Sequence, residues 1–223
     1  MPTRPPRTTR HVTDARRGVL YGGAFLLWAA LVASRVLAAF DLQATRLLQQ
    51  WGTAWLDWML FAFTLIGSVE STGAIVCGLG LWQWARGERR VAAGLWAAFI
   101  VMTLLEAACK LWLPQPHVPA AYDRNPWGAI GFIHVRLPYA FPSGHTLRSV
   151  FLFGYLDAWL TRGEPRQAWR LTSHTCCVAL ILLVCVSRIY LGDHWASDVI
   201  GGALLACAGL AWVGHATRAC VRG

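Results

Sequence analysis

The sequence predicts an all-α protein, a polytopic membrane helix bundle of about six transmembrane helices. Apolar residues make up 56% of the chain and charged residues 14%, against roughly 25% charged in a soluble domain. The apolar residues fall in blocks near the roughly 20 residues that cross a bilayer core, and the charges gather in short connections between the blocks.

Residues 1–18 carry Pro2, Pro5, Pro6 and five arginines with little apolar surface, and read as a disordered cytoplasmic tail. The block 19–40 is too long for the apolar core of a signal peptide and reads as the first span, with Arg35 snorkelling or facing the bundle. Further spans are expected over 68–84, 91–109, 146–160, 172–190 and 199–216, with 218–223 as a second tail. Residues 55–66 are apolar but short and read as an interfacial helix rather than part of the second span. One membrane domain is therefore expected over 19–217, with its motif-bearing part at 68–217.

Arginines concentrate in the N-terminal tail, in the turns 86–90 and 161–170, and in the C-terminal tail at Arg218 and Arg222. An even number of spans puts all four on one side, so they are expected in the cytoplasm, with the connections after spans one, three and five facing outward. Distributed in this way, the net charge of +9 forms no continuous basic face, and a nucleic-acid partner is not expected. The seven cysteines show no metal-binding spacing and read as packing residues. Many of the thirteen tryptophans flank span ends, as an interfacial belt requires.

Two of the outward connections carry unusual polar residues. One runs from Lys110, the single lysine, to Pro142-Ser143-Gly144-His145; the other reads Ser187-Arg188 through His194 to Asp198. Ser143, Gly144 and His145 fall where the fourth span starts, and a helix N-terminus offers free N–H groups and a positive dipole to an anion. Arg188 adds a forked cation and Lys110 a compact one, both suited to phosphate oxygens. No carboxylate cluster suits a metal, so no cofactor is expected and cationic side chains carry the charge stabilisation. His194 and Asp198 stand four residues apart, so one helical face would let the carboxylate fix the imidazole tautomer and leave the other nitrogen to attack. His145 is then the acid for the departing oxygen. Read one at a time, each has a bland alternative: PSGH as an ordinary helix start, Arg188 as a surface arginine, Asp198 as a first-turn carboxylate. Glu106, four residues before Lys110, reads as the ion-pair partner of that lysine.

PSGH at 142–145 followed by SR-x5-H-x3-D at 187–198 resembles the second and third signature motifs of the type-2 phosphatidic acid phosphatase superfamily. The resemblance covers roughly residue 68 to the C-terminus. It implies a six-helix, metal-independent membrane enzyme that works through a phosphohistidine, with His194 as nucleophile, Asp198 as its partner and His145 as general acid. It further implies that Lys110, Ser143, Gly144 and Arg188 bind phosphate. The first motif departs from the family pattern of lysine, six residues, then Arg-Pro: here Lys110 and six intervening residues are followed by His117-Val118. Three readings stand open. His117 still donates a hydrogen bond; or Arg148, Arg124 or Arg136 supplies the cation; or the site has moved to another substrate or a lower activity.

The expected function is hydrolysis of a lipid phosphomonoester or diphosphate at the outer face of the cytoplasmic membrane. The lipid is of the isoprenoid diphosphate, glycerolipid phosphate or lipid A type. Two alternatives remain: transfer of the phosphoryl group to another lipid through the same intermediate, and a non-catalytic membrane protein that binds lipid phosphate.

Overall fold

The computed structural model describes the backbone of residues 7–126 and 137–219, and side chains within 15–126 and 137–214. Eight α-helices and one 3-10 turn are present, with no strand among the described residues: α1 (Arg7–Ala33), α2 (Ala38–Gln49), α3 (Ala54–Ile66), α4 (Val69–Ala85), α5 (Arg89–Trp112), α6 (Gly144–Leu160), α7 (Gln167–Tyr190) and α8 (Ala196–Ala219). Four helical segments are long and apolar enough to cross a membrane: 54–85, which joins α3 to α4, then α5, α7 and the 196–214 part of α8. The pair α1 and α2 makes a fifth if counted as one bent span. The 17-residue α6 is shorter and sits in the middle of the bundle, packed on both α7 and α8.

Leucines on the outside mark the surface as lipid-facing. Leu26, Leu104 and Leu182 are more than half exposed, an arrangement water would penalise and hydrocarbon does not. Between helices, where lipid offers no hydrophobic driving force, small residues and close packing take over. The core runs through Val32, Leu95, Met102, Phe141, Leu147, Phe151, Leu205 and Ala206, where α1, α5, α6 and α8 meet. At the far end of the bundle, Arg86 and Arg89 lie over the Trp82 and Trp84 rings, and Gly87 takes φ +84° in the turn from α4 to α5.

Three sequence expectations are corrected here. The first span ends at Ala33, not at residue 40: the chain turns by 93° into α2, through Arg35 at φ +59°. Arg35 is exposed at this hinge. Only Ser34 and Arg35 interrupt the apolar run at the break, too little polarity to separate two elements by hydropathy. Residues 55–66 are not a separate interfacial helix but extend the next span, because α3 and α4 run on across Gly67 and Ser68 as one apolar segment of 32 residues. Ser68 caps α4 by accepting from Ser71 N at 3.1 Å, and Gly67 has no room for a side chain against α6 and α7. Helix α1 also starts at Arg7, inside the stretch expected to be irregular. No proline lies between Arg7 and Pro114 to interrupt a helix there.

Candidate active site

Both motif-bearing segments meet at one end of the bundle. The turn before α6 is held there by a hydrogen bond from Ser143 N to Asp198 O at 3.0 Å, with a cis peptide bond between Phe141 and Pro142. Gly202 on α8 makes the approach possible, since a Cβ there would stand 2.5 Å from Ser143 O. The Ser143 hydroxyl does not cap α6; it accepts from the Thr146 hydroxyl at 3.2 Å instead. The first-turn N–H groups at Gly144 and His145 therefore keep the anion-binding character of a helix N-terminus.

His194 stands just ahead of α8 rather than inside it, yet the four-residue relation holds. Its Nδ1 lies 3.2 Å from Asp198 Oδ2, and the same oxygen accepts from Trp195 N at 3.0 Å. Asp198 is fully buried. With Nδ1–H donated to this carboxylate, Nε2 carries the free lone pair. Burial first, then the positive charges of Arg188 and Lys110, hold the His194 imidazole well below its ordinary pKa, which keeps it neutral at neutral pH. His145 lies within electrostatic reach of His194, Arg188, Arg148 and Lys110.

The cations converge on the two histidines. Arg188 ends α7, buried, with Nη1 donating to Thr64 Oγ1 at 2.6 Å and paired with Asp193 at 2.9 Å. Lys110 ends α5 and pairs with Glu106 at 2.7 Å, as the sequence spacing suggests. The second oxygen of Glu106 pairs with Arg148 Nη1, also at 2.7 Å, a partnership that spacing along the chain does not reveal. Of the candidates offered for the missing arginine, Arg148 thus lies at the site. Arg124 does not: it forms a two-pronged pair with Asp57 at 2.9 and 3.1 Å, and this carboxylate raises its pKa. Arg136 falls outside the described residues. His117 is near enough to act electrostatically on His194, but its Nε2 lies 3.1 Å from the Leu137 carbonyl oxygen, which holds the ring to the backbone.

A surrounding shell that sequence reading missed fixes these parts. Asp41 on α2 accepts from Ser197 N at 2.8 Å and Ser197 Oγ at 2.7 Å, and Gln115 Nε2 reaches both Asp41 Oδ2 and Ser197 Oγ. Trp195 Nε1 donates to Pro116 O at 2.8 Å. The loop at 120–124 is tied down by Gln49 Nε2, which donates to Tyr122 O and Tyr190 O, and by Tyr190 Oη on Asp57 at 2.6 Å. The one available signal was Asp41 itself, an acid isolated in an apolar stretch. Beside Trp195 an apolar cavity of about 230 Å³ opens between the α1–α2 hinge and this loop, lined by Val32, Leu37, Leu42, Pro116 and Pro119 among others. At the opposite end of the bundle, His174 pairs with Asp157, remote from the site as expected.

Known proteins resemble this chain over most of its length. A curated relative, phosphatidylglycerophosphatase B of Bacillus subtilis, is 24% identical over 190 residues, covering 80% of this chain and 83% of its own. The crystal structure of the first transmembrane PAP2 type phosphatidylglycerolphosphate phosphatase from Bacillus subtilis matches with a TM-score of 0.72 at 19% identity, covering 88% of this chain and 94% of that one. The structure of Aquifex aeolicus LpxE matches with a TM-score of 0.54 at 21% identity, over 77% and 94% of the two chains. A family model described as the PAP2 superfamily matches residues 52–222, most of the chain and both motif-bearing segments, and the protein therefore belongs to the PAP2 superfamily.

Proposed function

We propose that the protein is a membrane lipid phosphatase that hydrolyses a lipid phosphomonoester or diphosphate through a phosphohistidine, without a metal ion. The observation that carries this reading is the His194–Asp198 pair, a neutral imidazole oriented by a buried carboxylate and ringed by cations. Relatives named as phosphatidylglycerophosphate phosphatases support a lipid phosphate as substrate, and the apolar cavity beside Trp195 suits a hydrocarbon chain.

In the proposed reaction, His194 Nε2 attacks phosphorus and the bond to the leaving oxygen breaks. His145 gives that oxygen a proton; burial, then the charges of Arg188 and Arg148, hold its imidazole well below its ordinary pKa in the free site, and the negative phosphate bound beside it offsets those cations and favours the charged form. Neutral His145 then takes a proton from water as the water oxygen attacks phosphorus, and the P–N bond breaks to restore His194. Throughout, Asp198 keeps Nδ1–H in place and stabilises the positive imidazole formed on attack. Lys110, Arg188 and the N–H groups at Gly144 and His145 hold the phosphoryl oxygens. The arginine distribution supports an outward-facing site in the cytoplasmic membrane with both termini inside.

The test is phosphate release by the detergent-purified chain from phosphatidylglycerophosphate, phosphatidic acid and an isoprenoid diphosphate, with chelator present. Chelator-resistant release that His194→Ala abolishes is expected. Undiminished turnover by His194→Ala overturns the mechanism, and absence of release from every lipid overturns the activity.

A further inference from the structure

The lipid phosphatase reading leaves one strong cation unassigned, and the following inference rests on that reading. Arg148 is almost fully buried. Its Nη1 is held by Glu106, while its Nε has no hydrogen-bond partner among the described residues. A buried guanidinium donor left unpaired is costly unless a ligand or water uses it.

Its position is that of a phosphate ligand. A Cβ on Gly144 would stand 2.6 Å from Arg148 Nη2 and would overlap Glu106, so the guanidinium lies against the first residue of α6, where the anion-binding N–H groups are. Arg148 acts electrostatically on His145, His194 and Arg188. Two guanidinium groups, Arg148 and Arg188, thus approach one another in a buried site with Lys110 close by. Glu106 is shared between Lys110 and Arg148, and Asp193 serves Arg188, so these three cations pair with two carboxylates, while Asp198 is taken up by His194 and Trp195 N. Buried like charges repel, and a multiply charged anion between them reverses the sign of that energy. The rival cations are otherwise occupied: His117 at a backbone carbonyl and Arg124 at Asp57.

We propose that Arg148 binds the substrate phosphate, supplying from α6 the second guanidinium that the first motif lacks at His117, and that Glu106 is its positioning residue. Glu106 holds Arg148 and Lys110 on the two oxygens of one carboxylate, which sets the spacing of two donors that are contributed by different helices.

The experiment uses the full chain in detergent, with lipid phosphate turnover and protection from thermal unfolding by inorganic phosphate as separate readouts. Arg148→Ala is expected to lower kcat/KM about 100-fold and to abolish phosphate protection. Because Arg148→Ala leaves Glu106 partly unpaired, Glu106→Gln/Arg148→Met serves as the well-folded counterpart, with the same loss at an unfolding temperature near that of the parent. Adding His117→Arg to Arg148→Ala is expected to restore kcat/KM at least tenfold. Parent-like kcat/KM and phosphate protection in the double variant overturn the proposal. So does loss of activity that only follows loss of thermal stability and that His117→Arg does not rescue. If the parent protein releases no phosphate from any lipid but shows phosphate protection that depends on Arg148, the lipid phosphatase reading fails and the assignment of Arg148 stands.

Discussion

Asp41 and Ser197 are joined by two hydrogen bonds across 156 residues of sequence: the carboxylate of Asp41 accepts from the backbone N–H of Ser197 at 2.8 Å and from its hydroxyl at 2.7 Å. Ser197 is the residue before Asp198, and Trp28 Nε1 on α1 also donates to its carbonyl oxygen at 2.9 Å. The bent pair α1 and α2 thus grips the start of α8 from outside and holds the His194–Asp198 pair in register. Asp41→Ala leaves the Ser197 N–H and hydroxyl buried without that acceptor. Hydrogen bonds to charged groups contribute about 1.5–3 kcal/mol. The expected outcome is a clear fall in unfolding temperature and a reduced kcat, with Asp41→Asn milder on both. Parent-like stability and kcat in Asp41→Ala would mean that α2 does not position the site.

The difference in legibility between these two pairs is physical. His194 and Asp198 could be paired from the sequence because a four-residue spacing is short-range geometry. Asp41 and Ser197 could not, because nothing local marks a partner so far along the chain. Hydropathy likewise located the apolar blocks but not the 93° break after Ala33, since the two polar residues at the hinge, Ser34 and Arg35, are flanked by apolar residues on both sides. Among Arg124, Arg136 and Arg148, choosing required knowing which carboxylate each guanidinium meets; Asp57 removes Arg124 and Glu106 brings in Arg148. The sidedness of the bundle rests on arginine counts in both readings.

Asp198→Asn tests orientation apart from nucleophilicity. The amide keeps the size of the carboxylate but no longer stabilises a positive imidazole and offers an N–H in place of one oxygen, which favours the wrong tautomer. A comparable change at an oriented histidine elsewhere costs about 10⁴-fold in kcat. A fall of 10²-fold or more is expected here, with KM little changed; a tenfold rise in KM at constant kcat would instead assign Asp198 to substrate binding.

The low pKa of His194 fixes the acid limb of the pH profile. Its cause is burial, aided by Arg188 and Lys110, and its direction keeps the imidazole neutral below the ordinary value of about 6.5. The nucleophile then stays competent as pH falls past 6.5, so the acid limb of kcat/KM belongs below that value. Stability follows the same sign. Above about pH 6.5 neither the folded nor the unfolded chain protonates this group; below it the unfolded chain binds a proton that the folded one resists, and this residue's contribution to stability declines until the lower folded pKa is reached. An acid limb centred at pH 7 or above would contradict a neutral nucleophile of depressed pKa.

The apolar cavity beside Trp195 separates lipid from water-soluble substrates. Leu42 lines it without belonging to the site, so Leu42→Trp fills space that a hydrocarbon chain would use. The variant is expected to lose about tenfold in kcat/KM, roughly 1.4 kcal/mol, on a long-chain phosphatidic acid, and almost nothing on p-nitrophenyl phosphate. Equal loss on both would point to a disturbed Asp41 rather than to a chain site.

Glycine positions supply a prediction with its control in the same protein. At Gly202 a Cβ would meet Ser143 O at 2.5 Å and Leu147 N at 3.2 Å, both backbone atoms of the turn and first coil of α6 that have no rotamer to yield. Gly202→Ala must therefore push α8 away from α6. The separation acts on the bond from Ser143 N to Asp198 O, and so on the distance between the phosphate cradle and the nucleophile. Gly73 on α4 also lies within a helix, but nothing stands within 4 Å of its Cβ position. Its replacement by alanine should be neutral or stabilising, since glycine in a helix costs about 1 kcal/mol relative to alanine. The expected result is a lower unfolding temperature and at least tenfold lower kcat in Gly202→Ala, against parent-like activity in Gly73→Ala. If Gly202→Ala keeps full activity, α8 does not need to touch the Ser143 turn, and the close contact of the two motif-bearing segments is not what aligns His145 with His194.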